Sequence, residues 1–136
     1  MKDVVECEVR VRYAETDQMG IVYYANYLVW FEVGRSEFCR KRDFSYAELE
    51  KMGYKLVVTE AHCKYRNAVR YDDAVTIRTR LKDLNKRILT FGYQIIRKED
   101  GEVAAEGESR HLCVDASSKP RSLPPEFLKR LAGELP

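Results

Sequence analysis

The chain has 136 residues, 45% of them apolar, which is the length of one ordinary domain and enough apolar side chain for a real core. Its 24 Lys and Arg against 22 Asp and Glu leave a formal charge of +2 with the signs interspersed, which sets aside nucleic acid and anionic membranes as partners. No apolar run approaches the ~20 residues of a membrane span, and the first residues lack the apolar stretch of a secretion signal, so a single cytoplasmic domain over residues 1–136 is expected.

Residues 4–13 alternate. Val5, Cys7, Val9, Val11 and Tyr13 share one face and Glu6, Glu8, Arg10 and Arg12 the other, the period of a half-buried strand. A polar turn follows, with Asp17 in it and Gly20 where the backbone must bend. The period then changes: Tyr27, Trp30, Phe31, Gly34 and Phe38 recur at helical spacing and predict a helix over residues 26–42. At 1.5 Å per residue that helix is about 25 Å long, enough to cross a sheet of about five strands. Gly34 inside the apolar stripe costs about 1 kcal/mol of helix propensity, which a close approach to a strand would explain. The pattern of Ser45 with Glu48 three residues on reads as the start of one or two further helical turns, ended by Gly53.

From Lys55 the period of two returns and holds to Asp115. Val57, Thr59, Ala61, Cys63 and Tyr65 form one face of the second strand, and Val75, Ile77, Thr79 and Leu81 one face of the third. The connection carries the adjacent aspartates Asp72 and Asp73. Leu89, Phe91, Tyr93 and Ile95 mark a fourth strand, Asp100-Gly101 a hairpin, and residues 102–115 a fifth. A short helix over residues 126–131 follows the prolines at 120, 124 and 125. Strand, long helix and a four-strand meander make an α+β fold, an antiparallel sheet with one apolar face covered by one helix. The opposite face is charged, either solvated or a polar subunit interface.

The four cysteines, Cys7, Cys39, Cys63 and Cys113, are widely spaced without a Cys-x-x-Cys pair, and read as reduced core thiols rather than a metal site. No cofactor is called for. The chemistry gathers instead between Tyr13 and Glu32, where the carboxylate of Asp17 lies beside a helix N-terminus. Unpaired N–H groups there, with the positive end of the helix dipole, favour an anion or a polarised carbonyl oxygen, an arrangement suited to acyl hydrolysis. An Asp in a turn before a helix also serves, in many proteins, only as a cap.

The run Tyr13-x-x-Thr16-Asp17-x-x-Gly20-x-Val22-Tyr23-Tyr24-Ala25-x-Tyr27-Leu28-x-Trp30-Phe31-Glu32 resembles the signature of hot-dog-fold thioesterases of the 4-hydroxybenzoyl-CoA thioesterase type, and most closely their YbgC-like acyl-CoA thioesterase branch. Arg70-Tyr71-Asp72-Asp73, Cys113-Val114-Asp115, Lys119-Pro120-Arg121 and Leu123-Pro124 extend the resemblance over most of the chain. It implies a sheet wrapped around one long helix, and hydrolysis of an acyl-CoA with Asp17 as nucleophile or as general base on water. Backbone N–H groups near Tyr24 would stabilise the charge that develops on the thioester oxygen. Tyr13, Gly20, Val22 and Tyr27 fall at substrate-binding positions of the motif. Lys86 and Arg87 fall where relatives place basic side chains near the CoA phosphates. Relatives form homodimers or dimers of dimers, so a homotetramer is an expectation here.

Many YbgC-like proteins carry a histidine where this chain has Tyr24, which argues against an imidazole mechanism and also against a hydroxyacyl dehydratase. His62 and His111 read as structural or surface residues. Ser109, His111 and Asp115 share a strand face, but Ser109 and His111 stand about 7 Å apart along an extended strand, too far for a hydrogen bond without long side chains, and no hydrolase triad is expected. The rival of a different kind is a non-catalytic acyl-CoA-binding or sensing module, against which Asp17 stands.

Overall fold

The computed structural model of the protein describes residues 3–133. Strand β1 is Val4–Arg10, followed by a 3-10 turn at Tyr13–Glu15 and helix α1 at Asn26–Lys41. Helix α2 (Tyr46–Lys51) leads to β2 (Tyr54–Tyr65), β3 (Ala74–Leu84), β4 (Ile88–Arg97), β5 (Val103–Asp115) and α3 (Pro125–Ala132). The five strands form one antiparallel sheet in the order β1-β3-β4-β5-β2. One apolar and one polar face on the sheet explain why a single layer of helix suffices to close the core.

Helix α1 lies on the apolar face. Tyr27, Trp30, Phe31, Gly34, Phe38 and Cys39 are its buried residues, the stripe that the helical spacing predicts. Phe31 stacks on Tyr93 of β4 at 4.2 Å between ring centroids, and Phe38 meets Phe91 edge-on. Burial of each such side chain is worth about 1.5–3 kcal/mol. Gly34 is the point of closest approach: a Cβ built there would lie 2.3 Å from Thr79 Oγ1 and 2.7 Å from Ile77 Cγ2. Ser45 Oγ accepts from the backbone N–H of Glu48 at 3.3 Å and so starts α2.

Three expectations are corrected. Strand β1 stops at Arg10, because Arg12 turns away and its N–H donates to Glu15 Oε1 at 2.8 Å. Tyr13 is therefore 76% exposed rather than part of the core. The later strands are not a simple meander: β2 pairs only with β5, so residues 66–73 carry the chain across to the other side of the sheet, where β3 slots between β1 and β4. Within β2 a bulge between Val58 and Glu60 inverts the alternation. Leu56 and Val58 stand opposite the buried Cys113 and His111, whereas beyond the bulge Ala61 and Cys63 stand opposite Ser109 and Gly107.

The charged face is laced across strands. Arg78 pairs with Glu6 at 2.8 Å, Lys98 with Glu8 at 2.6 Å, Arg66 with Glu106 at 2.5 Å and Arg110 with Glu60 at 3.4 Å. All four cysteines carry free thiols, and burial raises the thiol pKa of each.

Candidate active site

Glu15 organises the turn before α1. Its carboxylate is 5% exposed and accepts the Trp30 indole N–H at 3.1 Å on Oε2, while Oε1 takes the Arg12 N–H. Its carbonyl oxygen accepts twice, from the Tyr23 N–H at 2.8 Å and from Asn26 Nδ2 at 2.8 Å. One residue thus ties the turn to both the start and the second turn of α1. The sequence reading passed over it, since an acid in a polar turn carries no local mark of burial.

Asp17 follows two residues later in a tight loop. Its N–H donates to Ile21 O at 2.9 Å, its carbonyl accepts from Gly20, and Thr16 bridges to Val22. Gly20 takes φ +79°, the left-handed region that the turn requires and that a β-carbon disfavours. One carboxylate oxygen of Asp17, Oδ1, accepts the Met19 N–H at 2.8 Å; Oδ2 makes no hydrogen bond among the described residues. The side chain is half-buried.

The helix begins with Asn26 N–H donating to Tyr23 O and Tyr27 N–H to Tyr24 O. The N–H groups of Tyr24 and Ala25 accordingly have no acceptor among the described residues, the orphan donors of a helix start. Tyr65, at the end of β2, donates its hydroxyl to Tyr24 O at 2.9 Å and sets its ring edge-on against Tyr24 and Tyr27. Burial pushes the Tyr65 and Tyr27 phenols up to about 12, so both remain donors at neutral pH. Hydrogen bonding to Tyr24 raises the Tyr23 phenol, with smaller contributions from burial and from the negative charge of Asp17.

Of the residues singled out by the sequence, Asp17 and Gly20 share this turn, and Tyr24, 61% exposed, stands at the helix start that follows it. Tyr13 lies on the surface against Tyr71, ring centroids 5.6 Å apart. Val22 and Tyr27 are 3% and 4% exposed and belong to the core beneath the turn. Lys86 and Arg87 are exposed between β3 and β4, at the other end of the sheet; the length of β3, about 33 Å, separates them from Asp17 within one chain. Arg70 was not counted among the site residues, yet its guanidinium lies 3.9 Å from where a Cβ on Gly20 would be.

Ser109 and His111 overturn a further expectation. Ser109 Oγ lies 2.7 Å from His111 Nε2 and 2.5 Å from the Tyr93 hydroxyl, all in the buried layer under α1. A Cα spacing of about 7 Å did not limit them, because side chains on one strand face lean toward each other and an imidazole is long. No triad results. Asp115 is engaged elsewhere, accepting the N–H groups of Ser117 and Lys119 and pairing with Arg121 at 3.0 Å. Burial, then the charge of Arg35, lowers the His111 pKa to about 4, so it is neutral at physiological pH.

Residues 11–131 match the family model of the thioesterase-like superfamily. The chain is 41% identical over 111 residues to the Bacillus subtilis (strain 168) protein named "Putative acyl-CoA thioesterase YneP", covering 82% of this chain and 80% of that one. It is 34% identical over 117 residues to the acyl-CoA thioester hydrolase YbgC of Escherichia coli O157:H7, covering 85% of this chain and 87% of that one. In three dimensions it matches the crystal structure of a DHNA-CoA thioesterase from Staphylococcus aureus with a TM-score of 0.91 at 32% identity, over 96% of this chain and 89% of that one. An antiparallel sheet packed on the long helix α1 is the fold this chain shares with that thioesterase structure. The chain therefore belongs to the thioesterase-like superfamily, in the YbgC-like branch of hot-dog acyl-CoA thioesterases, a family of hydrolases.

Proposed function

We propose that the protein hydrolyses an acyl-CoA thioester to the free acid and CoA, with Asp17 as nucleophile or general base. The observation that carries this reading is the make-up of the turn: a carboxylate with one oxygen unengaged, in the loop that leads into α1, followed at the helix start by the unsatisfied N–H groups of Tyr24 and Ala25. A thioester oxygen held by those donors gains negative charge in the transition state, where preorganised donors contribute most. Asp17 either attacks the carbonyl carbon and expels the CoA thiolate, leaving a mixed anhydride that water then hydrolyses to the free acid, or takes a proton from a water that attacks the carbonyl and expels the thiolate directly. Either role uses the ionised carboxylate. Tyr65 supports the donors indirectly by fixing the Tyr24 carbonyl.

A second copy completes the site. Strand β2 is 12 residues long and pairs on one side only, and Val57, Val58 and Tyr65 along it are exposed, as are Leu28 and Val29 on α1. Two copies joined by antiparallel β2 strands exchange ends about the twofold axis. The Lys86–Arg87 end of one then lies toward the Asp17 end of the other, which is how those basic side chains would reach the CoA phosphates. The oligomer is a homodimer or a dimer of dimers, and the charged sheet face or the helices supply the second contact.

Thiol release from a panel of short aliphatic, long aliphatic and aromatic acyl-CoAs tests the reading. Wild-type release from at least one class, lost in Asp17→Asn and Asp17→Ala, is expected. Tight binding of acyl-CoA with no release from any ester would instead make the protein a binding module.

A further inference from the structure

A cleft of about 290 Å³ opens between α1, α2 and the edge strand β2, away from the Asp17 turn. Its apolar walls come from Leu49, Leu56 and Val58, and its inner end from Arg35, Tyr46 and His111. Arg35 is half-buried and makes no ion pair among the described residues, in a protein where most arginines on the sheet are matched by a carboxylate. The Tyr46 hydroxyl is buried and makes no hydrogen bond, although the Cys39 thiol is close by. His111 spends its Nε2 on Ser109. Glu32, Glu50 and Lys55 also line the cleft, but they are exposed or at its mouth, and neither acid pairs with Arg35. Arg35 reaches the Tyr93 hydroxyl but no carboxylate, so a guanidinium without a counter-charge and a phenol without a hydrogen bond line the same cleft, a pairing that a carboxylate would satisfy.

We propose that this cleft holds the distal part of the acyl group and that Arg35, with the Tyr46 hydroxyl, binds a carboxylate at its end. The preferred substrate is then a thioester of a dicarboxylic acid. The proposal rests on the acyl-CoA thioesterase reading and names its substrate class. Arg35 lies on α1 about 14 Å along the helix axis from Asn26, a span for a medium-length acyl chain within one chain. Across a twofold axis at β2 the reach to the partner's turn is different. A ladder of chain lengths covers both geometries.

The experiment compares kcat/KM for acyl-CoA, ω-hydroxyacyl-CoA and ω-carboxyacyl-CoA esters of equal length. The carboxylated ester is expected to lead by about tenfold or more at its best length, as discrimination by a charge-assisted hydrogen bond allows. Arg35→Met is expected to abolish that lead and Tyr46→Phe, which deletes one oxygen and keeps the packing, to reduce it about threefold. Arg80→Met removes a positive charge from the opposite sheet face and is expected to leave the lead in place. Equal or better turnover of the plain or hydroxylated ester at every length overturns the proposal, as does a lead lost equally in Arg80→Met. Should no ester be turned over, the hydrolase reading fails on its own. Calorimetric affinities of the same esters then decide this proposal: tighter binding of the carboxylated ester supports it, and equal binding overturns it.

Discussion

The indole N–H of Trp30 donates to the buried carboxylate of Glu15 across 3.1 Å, joining the second turn of α1 to the loop that presents Asp17. The bond is internal, and its acceptor is buried. Trp30→Phe keeps most of the ring and removes the donor, and about 2 kcal/mol of stability should go with it. Glu15→Ala should cost more, since the Arg12 N–H loses its acceptor as well. Urea unfolding gives the loss as a lower midpoint at unchanged slope. Turnover should fall in both variants with ligand affinity largely kept, because the loop is misplaced rather than removed.

At Gly34 two effects compete. Alanine gains about 1 kcal/mol of helix propensity, but its Cβ would sit 2.3 Å from Thr79 Oγ1 and 2.7 Å from Ile77 Cγ2, on residues that are 0% exposed and have nowhere to move. Overpacking wins, and Gly34→Ala should destabilise by about 2 kcal/mol net. Adding Thr79→Ala removes the nearer of the two clashes and should return part of that, a non-additive result that a double-mutant cycle reads directly.

His111 makes stability depend on pH. Its folded value of about 4 lies below the ordinary 6.5, so as pH falls from 6.5 toward 4 the unfolded chain takes up a proton that the folded one refuses. Stability is therefore full above pH 6.5 and is lost by about 3 kcal/mol on the way down to pH 4. The surface carboxylates with lowered pKa values, Glu8, Asp100, Glu106, Glu108 and Asp115, add their losses only below their own ordinary range near 4. Between pH 6.5 and 5 the slope belongs to His111. His111→Gln should flatten it there, whatever it costs overall, in denaturation curves taken across that range.

Val58 lies 48% exposed on the free side of β2. If two copies pair along that edge, Val58→Asp brings two like charges near the axis at little cost to the single chain. Sedimentation should show a shift toward monomer, and an unchanged assembly would move the contact elsewhere.

Much of this architecture is written locally. The stripe of α1, the Ser45 cap, the Asp17–Gly20 turn and the close approach at Gly34 all follow from spacing within a few residues, and each stands where the pattern places it. What the pattern does not hold is pairing between distant segments. That β2 lies at the far edge next to β5, and that a bulge at Val58/Glu60 inverts its faces, depends on register against strands that come some fifty residues later. Glu15 is buried only because Trp30 arrives above it, and Ser109 meets His111 only because the layer under α1 excludes water from both. Motif position groups Lys86 and Arg87 with Asp17, but it carries no distance, and in one chain the length of the sheet divides them.

The most direct test is kcat/KM for thiol release by Asp17→Asn beside the wild type, with acyl-CoA affinity measured on the same two proteins. The substitution removes the ionisable oxygen and keeps the size and the Met19 contact of the side chain. Loss of about a thousandfold or more in kcat/KM, with affinity within about threefold, is the result this account predicts. Turnover by Asp17→Asn at the wild-type rate would contradict it, since the carboxylate at the helix start would then have no part in the chemistry.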